Sequence, residues 1–209
     1  MVINFLGDSI TEQYFASTYD KCYVALVGKL LNCKVNNYGI SATRIAKQIV
    51  PSQDPAWDNY FALRVKDMDP NADLTFVMGG TNDFGHGDAP IGKLGDTEPT
   101  TFYGAMDNLC KELLKKYKKE QLVFILPLYR FNDDDPLGDH MRDKPTLPLQ
   151  GYRDVMTEVL NKYDIEVLDI KDQVGKPKDT NNFEDGLHPN DAGHRKIAEL
   201  LVKFISKRK

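Results

Sequence analysis

Five short strand-like runs alternate along the chain with segments whose apolar positions recur every three to four residues. The runs are Val2–Leu6, Lys34–Tyr38, Leu74–Met78, Leu122–Leu126 and Ile165–Ile170. Each has strand length, and Val, Ile and Phe are prominent in the first. Between them, Tyr19, Tyr23, Leu26, Val27, Leu30 and Leu31 share one face of a helix. A segment opened by Asp54-Pro55 brings Trp57, Phe61 and Val65 together. Phe102 to Tyr117, Tyr152 to Tyr163, and the stretch from about Asn190 to Ile205 show the same period. Strands alternating with helices imply βαβ units and a parallel sheet covered on both faces. Right-handed crossovers make this a three-layer α/β/α sandwich around a sheet of about five strands.

Residues 1–209 are expected to form one domain, long enough for a sizeable core. Apolar residues make up 41% and charged residues 28%, as in ordinary globular proteins. The net charge of −4 disfavours nucleic acid, whose phosphates call for a basic face. No apolar stretch nears the roughly 20 residues that cross a bilayer, and the first one lacks the basic start of a signal peptide. No membrane partner is expected. Cys22, Cys33 and Cys110 show no CxxC spacing, which fits a reduced, cytoplasmic setting. Two stretches, Phe84–Pro99 and Pro127–Pro148, carry no periodicity. Loops of that length in a compact domain are often functional. Both follow strands and should overhang the same sheet edge.

That edge collects the residues capable of chemistry. The first run stops at Gly7-Asp8-Ser9. Gly7 is expected to end it with a backbone angle other residues avoid. Ser9 then lies at the carboxyl edge, where open α/β sheets bind ligands. A serine hydroxyl needs a base to become a nucleophile. Asp185-Gly186-Leu187-His188 supplies a histidine with a carboxylate three residues earlier, which a tight turn would bring to its ring; the same residues also suit a plain helix-capping loop. Gly79-Gly80-Thr81-Asn82-Asp83 can aim the Asn82 amide into a cleft, or form an Asx turn. In Asn36-Asn37-Tyr38-Gly39, Gly39 permits close backbone approach and exposes an N–H, or simply turns the chain.

Together these segments follow strands one, two, three and five and supply Ser, Gly, Asn and Asp-x-x-His in that order. In this the sequence resembles the SGNH (GDSL-like) hydrolase superfamily. Gly7-Asp8-Ser9 matches its nucleophile block, with Ile10 where the family name has leucine. Gly39 matches the second block, Gly80-Thr81-Asn82-Asp83 the third, and Asp185 to His188 the last. The resemblance implies a flavodoxin-like sheet. It also implies Ser9 as nucleophile, His188 as general base and acid, and Asp185 as the residue orienting His188. The oxyanion hole would comprise the N–H groups of Ser9 and Gly39 and the Asn82 amide. No metal or organic cofactor is implied.

Other candidates carry less. Gly87 to Leu94 nearly matches a phosphate-binding loop, but Leu94 replaces the magnesium-binding hydroxyl and no strand precedes it. His86 and His140 lie in the long loops, and His194 in the last helix. Phe84, Tyr129 and Arg130 are the expected substrate contacts. That mix of aromatic and charged groups suits a sugar or other polar alcohol. The expected reaction is hydrolysis of short-chain acyl esters, O-acetyl groups of carbohydrates foremost, through an acyl-enzyme. Lysophospholipase, thioesterase, acyltransferase and non-catalytic carbohydrate-binding relatives stay open as alternatives.

Overall fold

In a computed structural model of the chain, which describes residues 1–142 and 144–208, strands and helices alternate as the pattern implies. They run β1 (Val2–Gly7), α1 (Ser9–Glu12), α2 (Tyr23–Leu31), β2 (Lys34–Gly39), α3 (Phe61–Arg64), β3 (Leu74–Met78) and α4 (Thr81–His86). Then come α5 (Phe102–Lys116), β4 (Leu122–Ile125), α6 (Leu149–Lys162), β5 (Glu166–Leu168), α7 (Lys171–Val174) and α8 (Asp191–Lys207). The five strands form one parallel sheet in the order β2-β1-β3-β4-β5. This is the flavodoxin-like doubly wound order.

Alternation along the strands sorts their side chains between two cores. Ile3, Phe5, Phe76, Met78, Val123 and Ile125 pack against α2 and α8 through Tyr23, Val27, Ile197 and Leu201. Leu6, Val77 and Phe124 face the opposite side, against α3, α5 and α6. Asn4 breaks the apolar run yet is fully buried. Its amide donates to the Asp69 carbonyl and the Tyr117 hydroxyl, each at 2.9 Å, and its oxygen accepts from Asn36 at 2.8 Å. Side-chain caps start the two longest helices: Thr101 accepts from the Gly104 N–H, and Asn190 from Ala192 and Gly193.

The structure departs from expectation in several places, Tyr19 among them, which lies in a 3-10 turn ahead of α2 and is exposed. β5 is shorter than Ile165–Ile170. The segment from Asp54 is not one helix. A 3-10 turn over Pro55–Asp58 ends at Asn59 and Tyr60, whose backbones leave the helical region, and α3 then begins. The break turns Phe61 and Val65 into the core while Trp57 stays partly exposed. Phe84–Pro99 begins inside α4, a helix too short to reveal a period. Gly7 has no left-handed angle. Its role is room: a Cβ there would lie 1.9 Å from Thr11 Oγ1.

Candidate active site

At the point where the strand order reverses, β1 and β3 end side by side, Gly7 opposite Met78. Crevices at such switch points bind ligands in doubly wound folds. Ser9 opens α1 directly after β1, with Asp8 as N-cap accepting from the Ile10 N–H at 3.1 Å. Ser9 Oγ lies 3.1 Å from His188 Nε2, and His188 Nδ1 lies 2.7 Å from Asp185 Oδ2. The other Asp185 oxygen accepts the backbone N–H groups of Leu187 (2.9 Å) and His188 (2.7 Å). Partial burial raises the Asp185 carboxyl, but these hydrogen bonds outweigh it and hold the group below the usual carboxylate range. The ionised carboxylate can only accept. Nδ1 therefore carries the imidazole proton, and Nε2 is left bare to accept from the Ser9 hydroxyl. Gly186 makes the turn possible with φ +82°.

On the other flank, Asn82 sits at the start of α4, nearly buried, and its amide donates to the Thr43 carbonyl at 2.9 Å. One amide hydrogen is thereby used and a second is left. Gly39 does not present a free N–H. It donates to Asn37 Oδ1 at 2.8 Å, and a Cβ would lie 2.2 Å from the Glu12 backbone nitrogen. The glycine is there for chain-to-chain packing, which corrects its expected place in an oxyanion hole. The tight turn that follows, closed by Thr43 N–H and Oγ1 on the Ile40 carbonyl, holds Ala42 at φ +60°. Among the described residues the Ala42 N–H has no acceptor.

Arg64, invisible as a site residue in the sequence, ties this region together. Its guanidinium donates to the carbonyls of Tyr38 (2.6 Å) and Gly7 (3.1 Å) and to Thr43 Oγ1 (3.1 Å). Burial lowers its pKa to about 10. Two buried acids lie in this region, Asp8 near Arg64 and Asp83 near Arg44. Burial pushes Asp8 up to about 7, against the pull of the Ile10 N–H and Arg64. Asp83 accepts the N–H groups of Ile45 and Ala46, yet burial still lifts it to about 6.

A further element was not foreseen. Tyr14 and Phe15 follow α1, and their ring centroids lie 4.6 and 5.7 Å from that of His188. Both remain well exposed, at 49% and 43%. Gln13 and Phe15 adopt positive φ, 131° and 61°. Such backbone in a bulky residue costs on the order of 1–3 kcal/mol. His194 is fully buried, and its burial lowers its pKa. Its Nδ1 accepts from the Tyr23 N–H at 3.3 Å, so Nε2–H donates to the Tyr14 carbonyl at 3.2 Å.

The expected substrate contacts fare unevenly. Phe84 is fully buried between α4 and α6, edge-on to Tyr152, and offers no face to a ligand. Its apolar ring is core, which corrects the expectation. Arg130 is also buried. It is committed to Asn132, the Thr81 carbonyl and Asp139. Tyr129 lines a cleft of about 770 Å³ beside Gly186, together with Phe131, Asp134 and Lys176. A second cleft, about 1020 Å³, is walled by Arg44, Trp57, His86, Arg142 and Leu147. There His86 Nδ1 accepts from Arg44, and burial lowers its pKa to about 4, leaving a neutral ring. His140 pairs with Asp135 at 2.9 Å.

Fold and site define a doubly wound α/β protein with a serine–histidine–aspartate hydrogen-bond chain at its switch point. The chain belongs to the GDSL-like Lipase/Acylhydrolase family, whose profile matches residues 5–196. A Lactobacillus plantarum protein of known structure is 27% identical, with a TM-score of 0.81 and coverage of 99% of this chain and 97% of that one. Est24, a carbohydrate acetylesterase from Sinorhizobium meliloti, shares the fold at 13% identity and a TM-score of 0.74, covering 100% and 99% of the two chains. The native M. smegmatis aryl esterase does so at 16% identity and a TM-score of 0.71, with 99% and 98% covered. No curated protein matches the sequence. No helix among the described residues is long and apolar enough to cross a membrane.

Proposed function

We propose that this chain is a serine esterase that removes short acyl groups, O-acetyl groups of carbohydrates foremost, through an acyl-enzyme. The observation that carries the reading is the continuous chain from Ser9 Oγ through His188 to Asp185, at 3.1 and 2.7 Å. Ser9 Oγ attacks the ester carbonyl as His188 Nε2 takes its proton, and Asp185 stabilises the imidazolium. The tetrahedral oxyanion is met by the Ser9 N–H and the second amide hydrogen of Asn82. The Ala42 N–H replaces the engaged N–H of Gly39. His188 then passes its proton to the departing alcohol oxygen, leaving acetyl on Ser9. Water, deprotonated by His188, attacks that carbonyl, and on collapse His188 returns the proton to Ser9 Oγ, freeing acetate and the serine. No step calls for a metal or organic cofactor.

The carbohydrate part is supported by a polar and aromatic cleft beside Gly186, lined by Tyr129, Phe131, Asp134 and Lys176, which would take sugar units beyond the acylated one. That the acetylesterase Est24 has the same fold is in keeping with it. The free thiols of Cys22, Cys33 and Cys110 suit a reducing cytoplasm. The test is hydrolysis of p-nitrophenyl acetate, butyrate and octanoate by the protein and by Ser9→Ala. Acetate is cleaved fastest, and Ser9→Ala loses on the order of a million-fold in turnover. A maximum at octanoate would sink the short-acyl reading, and an active Ser9→Ala the nucleophile.

A further inference from the structure

Two exposed aromatic rings beside a histidine, on a backbone that bulky residues avoid, are not needed by the core. Tyr14 and Phe15 bury no interior, since each is close to half exposed. Their segment is nevertheless held firmly. The Tyr14 N–H donates to the Ser9 carbonyl at 2.9 Å, and the Tyr14 carbonyl accepts from buried His194. Ser17 donates through its N–H and its hydroxyl to Asp191 at the start of α8. A strained conformation persists only where its surroundings over-determine it, and such strain gathers at functional sites.

The chemistry of the site says which half of a substrate these rings meet. His188 Nε2 must deliver its proton to the leaving alcohol, so that oxygen lies within hydrogen-bond reach of the imidazole. The carbonyl oxygen points the other way, toward Asn82. The carbon skeleton of the alcohol therefore extends along the imidazole, where Tyr14 and Phe15 stand 4.6 and 5.7 Å away. Resting on the triad reading above, we infer that Tyr14 and Phe15 form the platform for the leaving alcohol. They would select alcohols that present a flat π or C–H face, such as a phenol or a pyranose ring, and the left-handed backbone at Phe15 would hold the second ring in place.

The experiment compares kcat/KM for phenyl acetate, an O-acetylated methyl pyranoside and ethyl acetate, in the wild type, Tyr14→Ala, Phe15→Gly and Ser9→Ala. The acyl group is constant, so ratios to ethyl acetate report the alcohol alone. Phe15→Gly is expected to lower one or both ratios about tenfold, the scale of a lost ring contact. Its melting temperature is expected to rise, because glycine accepts the left-handed angle. Should that variant fold poorly, Phe15→Asn serves, asparagine being the side chain that tolerates this backbone best. A fall with phenyl acetate alone assigns the platform to aryl alcohols, and a fall with the pyranoside alone to sugars. Ratios that stay constant while all three esters slow together would mean that the rings merely support His188, which overturns the proposal. Activity that survives Ser9→Ala overturns the triad reading, and this inference with it.

Discussion

The Asn82 side-chain amide donates to the Thr43 carbonyl at 2.9 Å, so the first turn after β3 locks the loop after β2. The same amide group is thus both a structural tie and a candidate oxyanion donor. Asn82→Ala is expected to lower turnover on p-nitrophenyl acetate on the order of 100-fold or more, since one such donor is worth about 3–4 kcal/mol in the transition state. Asn82→Asp keeps an oxygen but has no amide hydrogen to donate and should be similarly impaired. An alanine variant that keeps most of its activity would remove Asn82 from this role.

Asp185 holds His188 by its ring and by its backbone N–H. Asp185→Asn preserves the acceptor for the backbone but no longer enforces the proton on Nδ1. Turnover should fall by roughly 10³–10⁴-fold, the scale of a lost orienting carboxylate, with folding unchanged by circular dichroism. Loss of less than about tenfold would mean that other contacts orient the ring.

Arg64 bridges the ends of β1 and β2 and the Thr43 hydroxyl from a buried position. Arg64→Met strands these acceptors without a charge of matching reach. The expected loss is about 2–4 kcal/mol of unfolding free energy in a urea titration. A change within about 0.5 kcal/mol, ordinary for an open surface site, would show that the bridges add nothing.

Asp8 carries a pH signature. Burial raises its folded pKa to about 7, well above its unfolded value. Between those two values the native state binds more protons than the unfolded chain. The stability this group contributes is complete below the unfolded pKa and is lost as pH rises toward 7. Asp83, lifted to about 6, acts in the same direction. Asp8→Asn keeps the cap on Ile10 and removes the titration. The drop in melting temperature from pH 5 to pH 8 should therefore be smaller in the variant than in the wild type. An unchanged drop would place Asp8 outside this linkage.

Much of the site could be read before any fold was known, for a geometric reason. In a parallel sheet every strand ends at one edge, so Ser9, Asn82 and the Asp185–His188 turn were bound to converge once the strands were recognised. Gly39 misled because a glycine reads as open backbone, whereas here the Glu12 main chain fills the space and Asn37 takes the N–H. Ala42 was missed because its left-handed angle comes from the closed turn around it, not from its residue type. Phe84 followed a strand like a site residue, but its place on the inner face of α4 is set by packing against Tyr152. Tyr14 and Phe15 lie in an aperiodic stretch, and only the path of their backbone brings them to His188.

The contact between Ser9 and His188 spans 179 residues. Ser9 is made before His188, and at ordinary synthesis rates the histidine follows roughly 10–35 s later. Throughout that interval Ser9 has no imidazole beside it. On the esterase reading, activity during translation would therefore appear only once His188, which follows all five strands in sequence, has been made and has reached Ser9.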